Sequence, residues 1–226
     1  MVEPHMVRAE TMAQIRALPR SARPVVVCDV DEVILHMIAP METYLAERGL
    51  RFLTPEHKLT GNIAPVEEDT PLEGDIVRRY IRDFFDEHVH AQDLVPGANV
   101  ALRRLSAHFD IVLLTNLPGS ANKPLRIELL KRFDIDYPLI TNSGPKGGAV
   151  SVLAAGRRGP IVFIDDSPVN QDSVAASLPS AVRIQFIADP RFRAAHTPAD
   201  HIHLLTGDWD ETTRFIEAIL AGEIRL

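Results

Sequence analysis

The sequence predicts an α/β protein with a Rossmann-like, three-layer core around a parallel sheet and a small helical cap inserted after the first strand. Short apolar runs alternate with amphipathic stretches of helical length along most of the chain. Continuous apolar runs are typical of strands buried on both faces, and helices between such strands are typical of βαβ units. A stretch of about 60 residues, 36–95, has no such run and interrupts the alternation.

Five apolar runs are predicted to form the strands of the sheet. They are Pro24–Cys28, Ile111–Leu114, Pro160–Ile164, Val182–Ile187 and Tyr137–Ile140, the last containing a proline, which is unfavourable inside a strand. The helical patterns between them cover residues 98–108, 122–133, 147–156 and 168–178, and a terminal amphipathic helix is expected over 208–226. Right-handed crossover connections would place helices on both faces of the sheet.

The segment 36–95 is predicted to be a separate helical subdomain, the cap, whereas residues 1–35 and 96–226 form the core. Two helices are expected in it, Met41–Gly49 and Asp75–His90, with Asp75 as the N-cap of the second. The apolar residues of the second helix follow helical spacing: Val77, Tyr80, Ile81, Phe84, Phe85 and Val89.

Composition excludes several classes of protein. The chain has 226 residues, 46% of them hydrophobic and 24% charged, which is ordinary for a single globular core. The net charge of −7 provides no basic field for nucleic acid. The single cysteine, Cys28, is typical of a reducing compartment, and the residues given show neither an N-terminal apolar core of signal-peptide length nor an apolar run of membrane-spanning length. A cytoplasmic protein without membrane partners is therefore expected.

Polar residues follow each of the three most apolar strands. In open parallel sheets, ligands bind outside the carboxyl ends of the strands, so these residues should meet at one edge. A lysine lies in the turn Gly-Pro-Lys-Gly-Gly, 19 residues before the acidic pair that follows the third strand. The candidate site residues are Asp29, Asp31, Thr115, Asn116, Lys146, Asp165, Asp166 and Asn170.

This set of side chains points to phosphoryl transfer. Several carboxylates in one place repel one another, and a hard divalent cation with oxygen ligands, Mg²⁺, is the natural ion to hold them. Lys146 adds a second positive charge and Thr115 a hydroxyl donor, and phosphoryl transfer needs such groups around its equatorial oxygens. One carboxylate can attack phosphorus while another transfers protons.

The order and spacing of these residues resemble the haloacid dehalogenase (HAD) superfamily, in its magnesium-dependent phosphatase branch. Its four motifs match the DxDx[TV] sequence at 29–33, Thr115, Lys146 and the pair at 165–166, over roughly residues 24–190. The resemblance implies that Asp29 is the nucleophile and Asp31 the general acid and base. It also implies a small helical cap inserted just after the first motif.

The resemblance further implies how the other residues act. Mg²⁺ would be held by the carboxylates of Asp29 and Asp166 and by the backbone carbonyl of Asp31. Thr115, Asn116 and Lys146 would bind the phosphoryl group, while Asp165 steadies Lys146 or the waters of the metal. The chain departs from the family four residues after Asp166, where many members carry a second acid and this chain has Asn170 in a supporting position.

The function expected from the sequence is hydrolysis of a small soluble phosphomonoester through an aspartyl-phosphate intermediate with Mg²⁺. Three alternatives stay open: a phosphomutase, a haloacid-type dehalogenase of the same superfamily, and a catalytically silent binding module. A dehalogenase releases halide without a proton and has no use for an acid at Asp31. The expected partner is a small phosphorylated metabolite, and the sequence leaves open its identity, the cap residues that select it and whether the chain forms a homodimer.

Overall fold

The computed structural model describes residues 6–56, 58–88, 90–119 and 121–224. The helices are α1 (Ala9–Arg16), α2 (Ile38–Ala46), α3 (Gly74–His88), α4 (Ala98–Ser106), α5 (Asn122–Arg132), α6 (Gly147–Ala154), α7 (Pro168–Ser177), α8 (Pro190–Ala195) and α9 (Trp209–Leu220). The strands are β1 (Val25–Cys28), β2 (Leu50–Phe52), β3 (Ile63–Pro65), β4 (Asp110–Thr115), β5 (Leu139–Thr141), β6 (Ile161–Asp165), β7 (Val182–Phe186) and β8 (Leu204–Thr206). None of the described helices combines the length and apolar character needed to cross a membrane.

Six of the strands form one parallel sheet in the order β5-β4-β1-β6-β7-β8. Strand β1 lies inside the sheet and pairs with β4 on one side and β6 on the other, so that Val25 faces Asp110 and Ile161. The chain runs outward from β1 through β4 to β5 and then returns to the other side of β1 at β6. The predicted α/β class with a parallel, Rossmann-like sheet is therefore confirmed.

Helices cover both faces of this sheet and make the three layers. On β1, Val26 and Cys28 pack into the cluster that contains residues of α4, α5 and α9, whereas Val25 and Val27 pack into the cluster with α1, α6 and α7. Successive residues of a strand point to opposite faces, so burial on both sides requires an apolar residue at every position. This is the physical origin of the continuous apolar runs in the sequence.

The predicted strands and core helices lie within a few residues of the observed ones. Helices α1 and α8 and strand β8 were not predicted. Each has eight residues or fewer, and β8 has three, which is too short for a periodic pattern of apolar residues to stand out. The terminal helix ends at Leu220, and its N-cap, Asp208, accepts hydrogen bonds from two backbone amides of the first turn.

The inserted segment is not purely helical as predicted. Besides α2 and α3 it contains β2 and β3, which pair antiparallel with Leu50 opposite Pro65 and Phe52 opposite Ile63. Strands of three residues show no alternation long enough to be recognised from sequence. The division into core and cap at residues 36 and 95 stays a prediction.

The start of α3 also differs from the prediction. The helix begins at Gly74, so Asp75 lies in its first turn and is not the N-cap; its carboxylate pairs with Arg78 one turn later. An acid in the first turn still interacts favourably with the helix dipole. Of the apolar residues predicted for this helix, Val77, Phe84 and Phe85 are buried, and Val89 lies outside the described residues.

The inserted segment contacts the core at several places, and two of them lie on opposite sides of the segment. At the end of α3, Asp86 accepts a hydrogen bond of 2.7 Å from Asn122 at the start of α5. On the other side, Ile38 of α2 packs against Ile187 and Phe192, close to β7 and α8. The apolar cluster around Tyr44 and Phe84 consists mainly of residues of this segment and also includes Leu117, which follows β4.

Candidate active site

Three neighbouring strand ends form the centre of the site. Asp29 directly follows β1, and Thr115 and Asp165 are the last residues of β4 and β6. The amide of Asp29 donates to the carbonyl of Ile164 at 2.8 Å, which continues the ladder between β1 and β6 to the site. Because β1 pairs with both other strands, residues more than 80 positions apart in the chain are brought to one edge of the sheet.

Lys146 forms ion pairs with the acids at two of these strand ends, those of β1 and β6. Its ammonium Nζ lies 2.8 Å from Asp29 Oδ1 and 2.6 Å from Asp165 Oδ2, and the side chain is fully buried. Burial lowers the pKa of the Lys146 ammonium, but Asp165 and Asp29 outweigh it and raise the pKa above its ordinary value. The lysine is therefore a permanent cation that screens the two carboxylates from each other.

A close helix contact fixes the position of this lysine. Lys146 directly precedes α6, and the next residue, Gly147, packs against α7. A Cβ atom on Gly147 would lie 2.2 Å from the backbone oxygen of Ser173. The Gly147 amide donates to Ser173 Oγ at 3.0 Å. Only glycine permits this approach, and it places the Lys146 side chain against the ends of β1 and β6.

Asp165 is held by donors on every side. Its Oδ1 accepts from the backbone amide of Ser167 at 2.9 Å and from Asn170 Nδ2 at 3.0 Å, while Oδ2 accepts from Lys146. Burial raises the pKa of the Asp165 carboxyl, and the lysine opposes this effect. Asn170 thus supplies a hydrogen-bond donor at a position where a second acid would repel Asp165.

Asp29 keeps one oxygen unengaged. Both hydrogen-bond donors that approach its carboxylate, the Val30 amide at 2.7 Å and Lys146 Nζ, go to Oδ1, and no described residue donates to Oδ2. The residue is 7% exposed. Burial raises the pKa of the Asp29 carboxyl well above its ordinary value, the lysine opposes this, and the neighbouring acids add to it. A further cation nearby would favour the ionised form.

Three carboxylates could hold such a cation. Asp29, Asp165 and Asp166 each offer an oxygen, and these oxygens lie within 4.8 Å of one another. When all three are ionised, Lys146 leaves two negative charges in excess, which matches one divalent ion. Carboxylate oxygens are the ligands that hard cations such as Mg²⁺ prefer. The donor set therefore fits the metal that the sequence predicted.

Asp31 lies outside this cluster and has its own partners. Its Oδ1 accepts from Arg126 Nη1 at 2.9 Å and from Gln92 Nε2 at 3.0 Å, and its Oδ2 accepts from Thr115 Oγ1 at 3.4 Å. Neither Arg126 nor Gln92 was predicted from the sequence. Arg126 lies in the middle of a helix and Gln92 in the irregular stretch between α3 and α4, and no local pattern distinguishes them from surface residues.

The residues predicted to bind phosphate differ in their exposure. Thr115 is fully buried, like Lys146, and its hydroxyl is directed to Asp31. Asn116 is exposed. Its Nδ2 donates to the Gly144 carbonyl at 3.0 Å and its Oδ1 accepts from Asn142 at 2.9 Å, so it links the loops after β4 and β5. Their contact with a phosphoryl group stays a prediction.

Glu32 is a further residue that the sequence analysis missed. It is fully buried with a positive φ of 60°. Its carboxylate accepts from the amides of Met37 and Ile38 at 2.9 and 2.8 Å and from the Asp189 amide at 2.7 Å. Glu32 thereby ties the loop after β1 to the start of α2 and to the loop before α8. Its positive φ is an uncommon backbone conformation for a residue other than glycine, and the three hydrogen bonds hold the residue in it.

Comparison with known proteins gives matches to solved structures. No protein-family profile matches the sequence, and no curated protein matches it significantly. A HAD family hydrolase from Deinococcus radiodurans R1, crystallised with phosphate and sodium, is 14% identical with a TM-score of 0.58; the alignment covers 89% of this chain and 98% of that one. A Bacillus subtilis protein assigned as a HAD-hydrolase and crystallised with magnesium is 12% identical with a TM-score of 0.58, over 87% and 99%.

Two further structures have the same architecture. A haloacid dehalogenase-like protein of unknown function from Agrobacterium tumefaciens is 15% identical with a TM-score of 0.60, over 87% of this chain and 98% of that one. A Thermotoga maritima protein assigned as a beta-phosphoglucomutase is 13% identical with a TM-score of 0.54, over 87% and 100%. At these identities the likeness concerns the fold. The chain has the fold of haloacid dehalogenase-like hydrolases, as the sequence predicted.

Proposed function

We propose that this chain, with its haloacid dehalogenase-like fold, is a Mg²⁺-dependent phosphatase that hydrolyses a small phosphomonoester through an aspartyl-phosphate on Asp29. The observation that carries the proposal is the Asp29 carboxylate, which has Lys146 on Oδ1, no described donor on Oδ2 and two further carboxylates close by. Similar structures crystallised with phosphate and with magnesium support both the substrate class and the metal.

The first half of the reaction uses Asp29 and Asp31. Oδ2 of Asp29 attacks phosphorus and forms a new O–P bond, while the bond between phosphorus and the leaving oxygen breaks. Protonated Asp31 gives its proton to that oxygen, so the leaving group departs as a neutral alcohol. Lys146, held by Asp29 and Asp165, supplies positive charge beside the reacting groups.

The second half releases phosphate. Asp31, now a carboxylate, takes a proton from a water molecule, which attacks the phosphorus of the aspartyl-phosphate. The acyl-phosphate bond breaks, Asp29 regains its carboxylate, and inorganic phosphate leaves. Asp31 is again protonated, so the cycle balances.

The metal would be held at the carboxylate cluster. The Asp29 and Asp166 carboxylates and the backbone carbonyl of Asp31 are its proposed ligands, and Asp165 remains engaged with Lys146 and Asn170. When bound, Mg²⁺ supplies positive charge that offsets the repulsion between the phosphoryl oxygens and the carboxylates.

The alternative functions fit the site less well. Carbon–halogen hydrolysis has no leaving group that needs a proton, yet Asp31 is held by three side-chain donors beside the cluster. A phosphomutase would use the same aspartates and return the phosphoryl group to its substrate. A silent binding module would not require a lysine buried between two carboxylates.

We propose a phosphorylated metabolite of the cytoplasm as the substrate, bound between the cap and the strand ends.

The test is phosphate release from a panel of monoesters: sugar phosphates, nucleotides, phosphorylated amino acids and an aryl phosphate. The assay is run with Mg²⁺ and with EDTA on the wild type and on Asp29→Asn. Asp136→Asn is the matched control, because Asp136 is an exposed carboxylate with a surface lysine partner. Release that requires Mg²⁺, disappears in Asp29→Asn and persists in Asp136→Asn is expected. Wild-type turnover in a folded Asp29→Asn protein would contradict the mechanism.

A further inference from the structure

Arg126 is a buried cation that the proposed reaction does not use directly. It lies in α5, is fully buried, and donates from Nη1 to Asp31 Oδ1 and from Nη2 to Gln92 Oε1, at 2.9 and 2.7 Å. Asp31 is its one acidic partner among the described residues. A buried guanidinium must have partners that compensate its charge, because an unpaired buried charge is very unfavourable.

The Asp31 carboxylate is oriented by this contact. Arg126 and Gln92 both donate to Oδ1, whereas among the described residues Oδ2 receives only the long contact of 3.4 Å from Thr115. The side chain of Asp31 is 12% exposed. Two strong donors on one oxygen fix the rotation of the carboxylate, because turning it would break both bonds. Oδ2 is then the oxygen that can exchange a proton with substrate or water.

Gln92 connects this carboxylate to the cap. Its Nε2 also donates to the carbonyl of His36 at 2.9 Å, and the residue is buried. His36 lies where the chain enters the inserted segment, and Gln92 lies where the chain leaves it. The side-chain amide of Gln92 therefore links both connecting stretches to Asp31. The Arg126 guanidinium also lies 5.9 Å from the ring of Phe85, near the end of α3. Asp31 is thus held both by α5 of the core and by Gln92 at the end of the inserted segment.

We propose that Arg126 and Gln92 are positioning residues for Asp31, aiming its Oδ2 at the leaving oxygen and making that aim depend on the placement of the cap. This inference rests on the proposed function, because it assigns Asp31 the proton transfer. A purely structural role is the competing explanation: the ion pair would then only fasten α5 to the loop after β1. The two explanations differ in how the effect of a variant depends on the leaving group.

The test compares two substrates on kcat/KM, which reports only steps up to release of the leaving group. An alkyl phosphate has a leaving group that needs a proton, whereas 4-nitrophenyl phosphate has one that does not. The variants are Arg126→Met, Arg126→Lys, Gln92→Met and Asp31→Asn. The matched control is Lys131→Met, which removes one charge from an exposed side chain of the same helix.

Positioning predicts a selective loss. In Arg126→Met and Gln92→Met, kcat/KM for the alkyl phosphate should fall by about 10–100-fold, the usual effect of residues that orient a reacting group. For the nitrophenyl ester it should fall by less than about threefold. Arg126→Lys keeps the charge and one donor, so it should recover part of the alkyl phosphate activity. Lys131→Met should match the wild type with both substrates.

A double-mutant cycle separates the two explanations further. If Arg126 acts through Asp31, adding Arg126→Met to Asp31→Asn should change the alkyl phosphate rate by less than about threefold. Equal loss with both substrates, or full additivity in the cycle, would overturn the proposal and leave a structural ion pair. A wild type that hydrolyses neither ester nor any member of the monoester panel would instead overturn the proposed function, and with it the role given to Asp31.

Discussion

At the scale of single residues, the site depends on charges that are buried together. Lys146 has no exposed surface, and both acids it contacts, Asp29 and Asp165, are buried as well. Removing one member of such a group leaves the others without compensation, which is far more unfavourable than losing a surface ion pair. The same lysine therefore contributes both to folding and to the proposed chemistry.

Replacement of Lys146 tests this dual role. Lys146→Met should lower the free energy of unfolding by about 3–5 kcal/mol, because two buried carboxylates lose their cation. Phosphate release should disappear at the same time. Urea denaturation followed by circular dichroism measures the first effect. The control, Lys131→Met on the surface, should change the free energy of unfolding by less than about 0.5 kcal/mol. Equal free energies of unfolding for the two variants would show that Lys146 is not needed to balance the charges of Asp29 and Asp165.

At the scale of helices and strands, the contact between α6 and α7 places the lysine. Gly147 lies against the backbone of Ser173, where no side chain fits. Gly144, in the preceding turn, has φ of +90° but nothing within 4 Å of a Cβ atom added there. The two glycines therefore serve different purposes: one allows a close approach, and the other allows a left-handed turn.

A pair of alanine variants separates these two effects. Gly144→Ala should destabilise by about 1–3 kcal/mol through backbone strain alone and keep most activity. Gly147→Ala must move α6 away from α7, so it should be more destabilising and should also reduce phosphate release by displacing Lys146. Thermal denaturation and the phosphate assay measure both outcomes. Full activity and wild-type stability in Gly147→Ala would mean that the helices separate without moving the site.

The cap shows what short elements contribute. Strands β2 and β3 have three residues each, yet they give the inserted segment a hairpin between its two helices. Asn62 next to this hairpin is buried and accepts from the amide and hydroxyl of Thr54 at 2.8 and 2.9 Å. Such side-chain contacts stabilise a hairpin that would be marginal by itself. The inserted segment therefore combines two helices with a short hairpin.

At the scale of the whole molecule, metal binding should be linked to stability. Three carboxylates within 4.8 Å of one another, with one lysine between them, repel in the absence of a divalent ion. An ion that binds only the folded state stabilises it by about 2.7 kcal/mol at 100 times its dissociation constant. For a chain of this length that corresponds to an increase in Tm of roughly 5–10 °C.

Thermal denaturation with Mg²⁺ and with EDTA checks this expectation. The wild type should show the increase in Tm on adding Mg²⁺, and Asp166→Asn should lose most of it, because a proposed ligand is removed. Asp136→Asn, which changes an exposed carboxylate, should respond like the wild type. An equal increase in Tm for Asp166→Asn would place the metal elsewhere.

The sequence by itself determined the main strands of the sheet and the residues at its carboxyl edge. Strands buried on both faces must be apolar at every position, so β1, β4 and β6 were visible as runs. Polar residues directly after such runs must lie at the carboxyl edge, which is why the sequence alone predicts that Asp29, Thr115 and Asp165 lie together. Short elements without a long pattern, such as β8, could not be found in this way.

Only the tertiary structure decided which side chains hold these residues in place. Arg126 is 95 positions from Asp31 in the chain and Gln92 is 61 positions away, yet both contact the same carboxylate oxygen. Glu32 likewise binds an amide 157 positions away. Such contacts depend on where helices and linkers cross above the sheet, and a single arginine or glutamine leaves no periodic pattern in the sequence. The sequence therefore determines which candidate groups meet at the edge of the sheet, and the packing of distant segments determines their orientation.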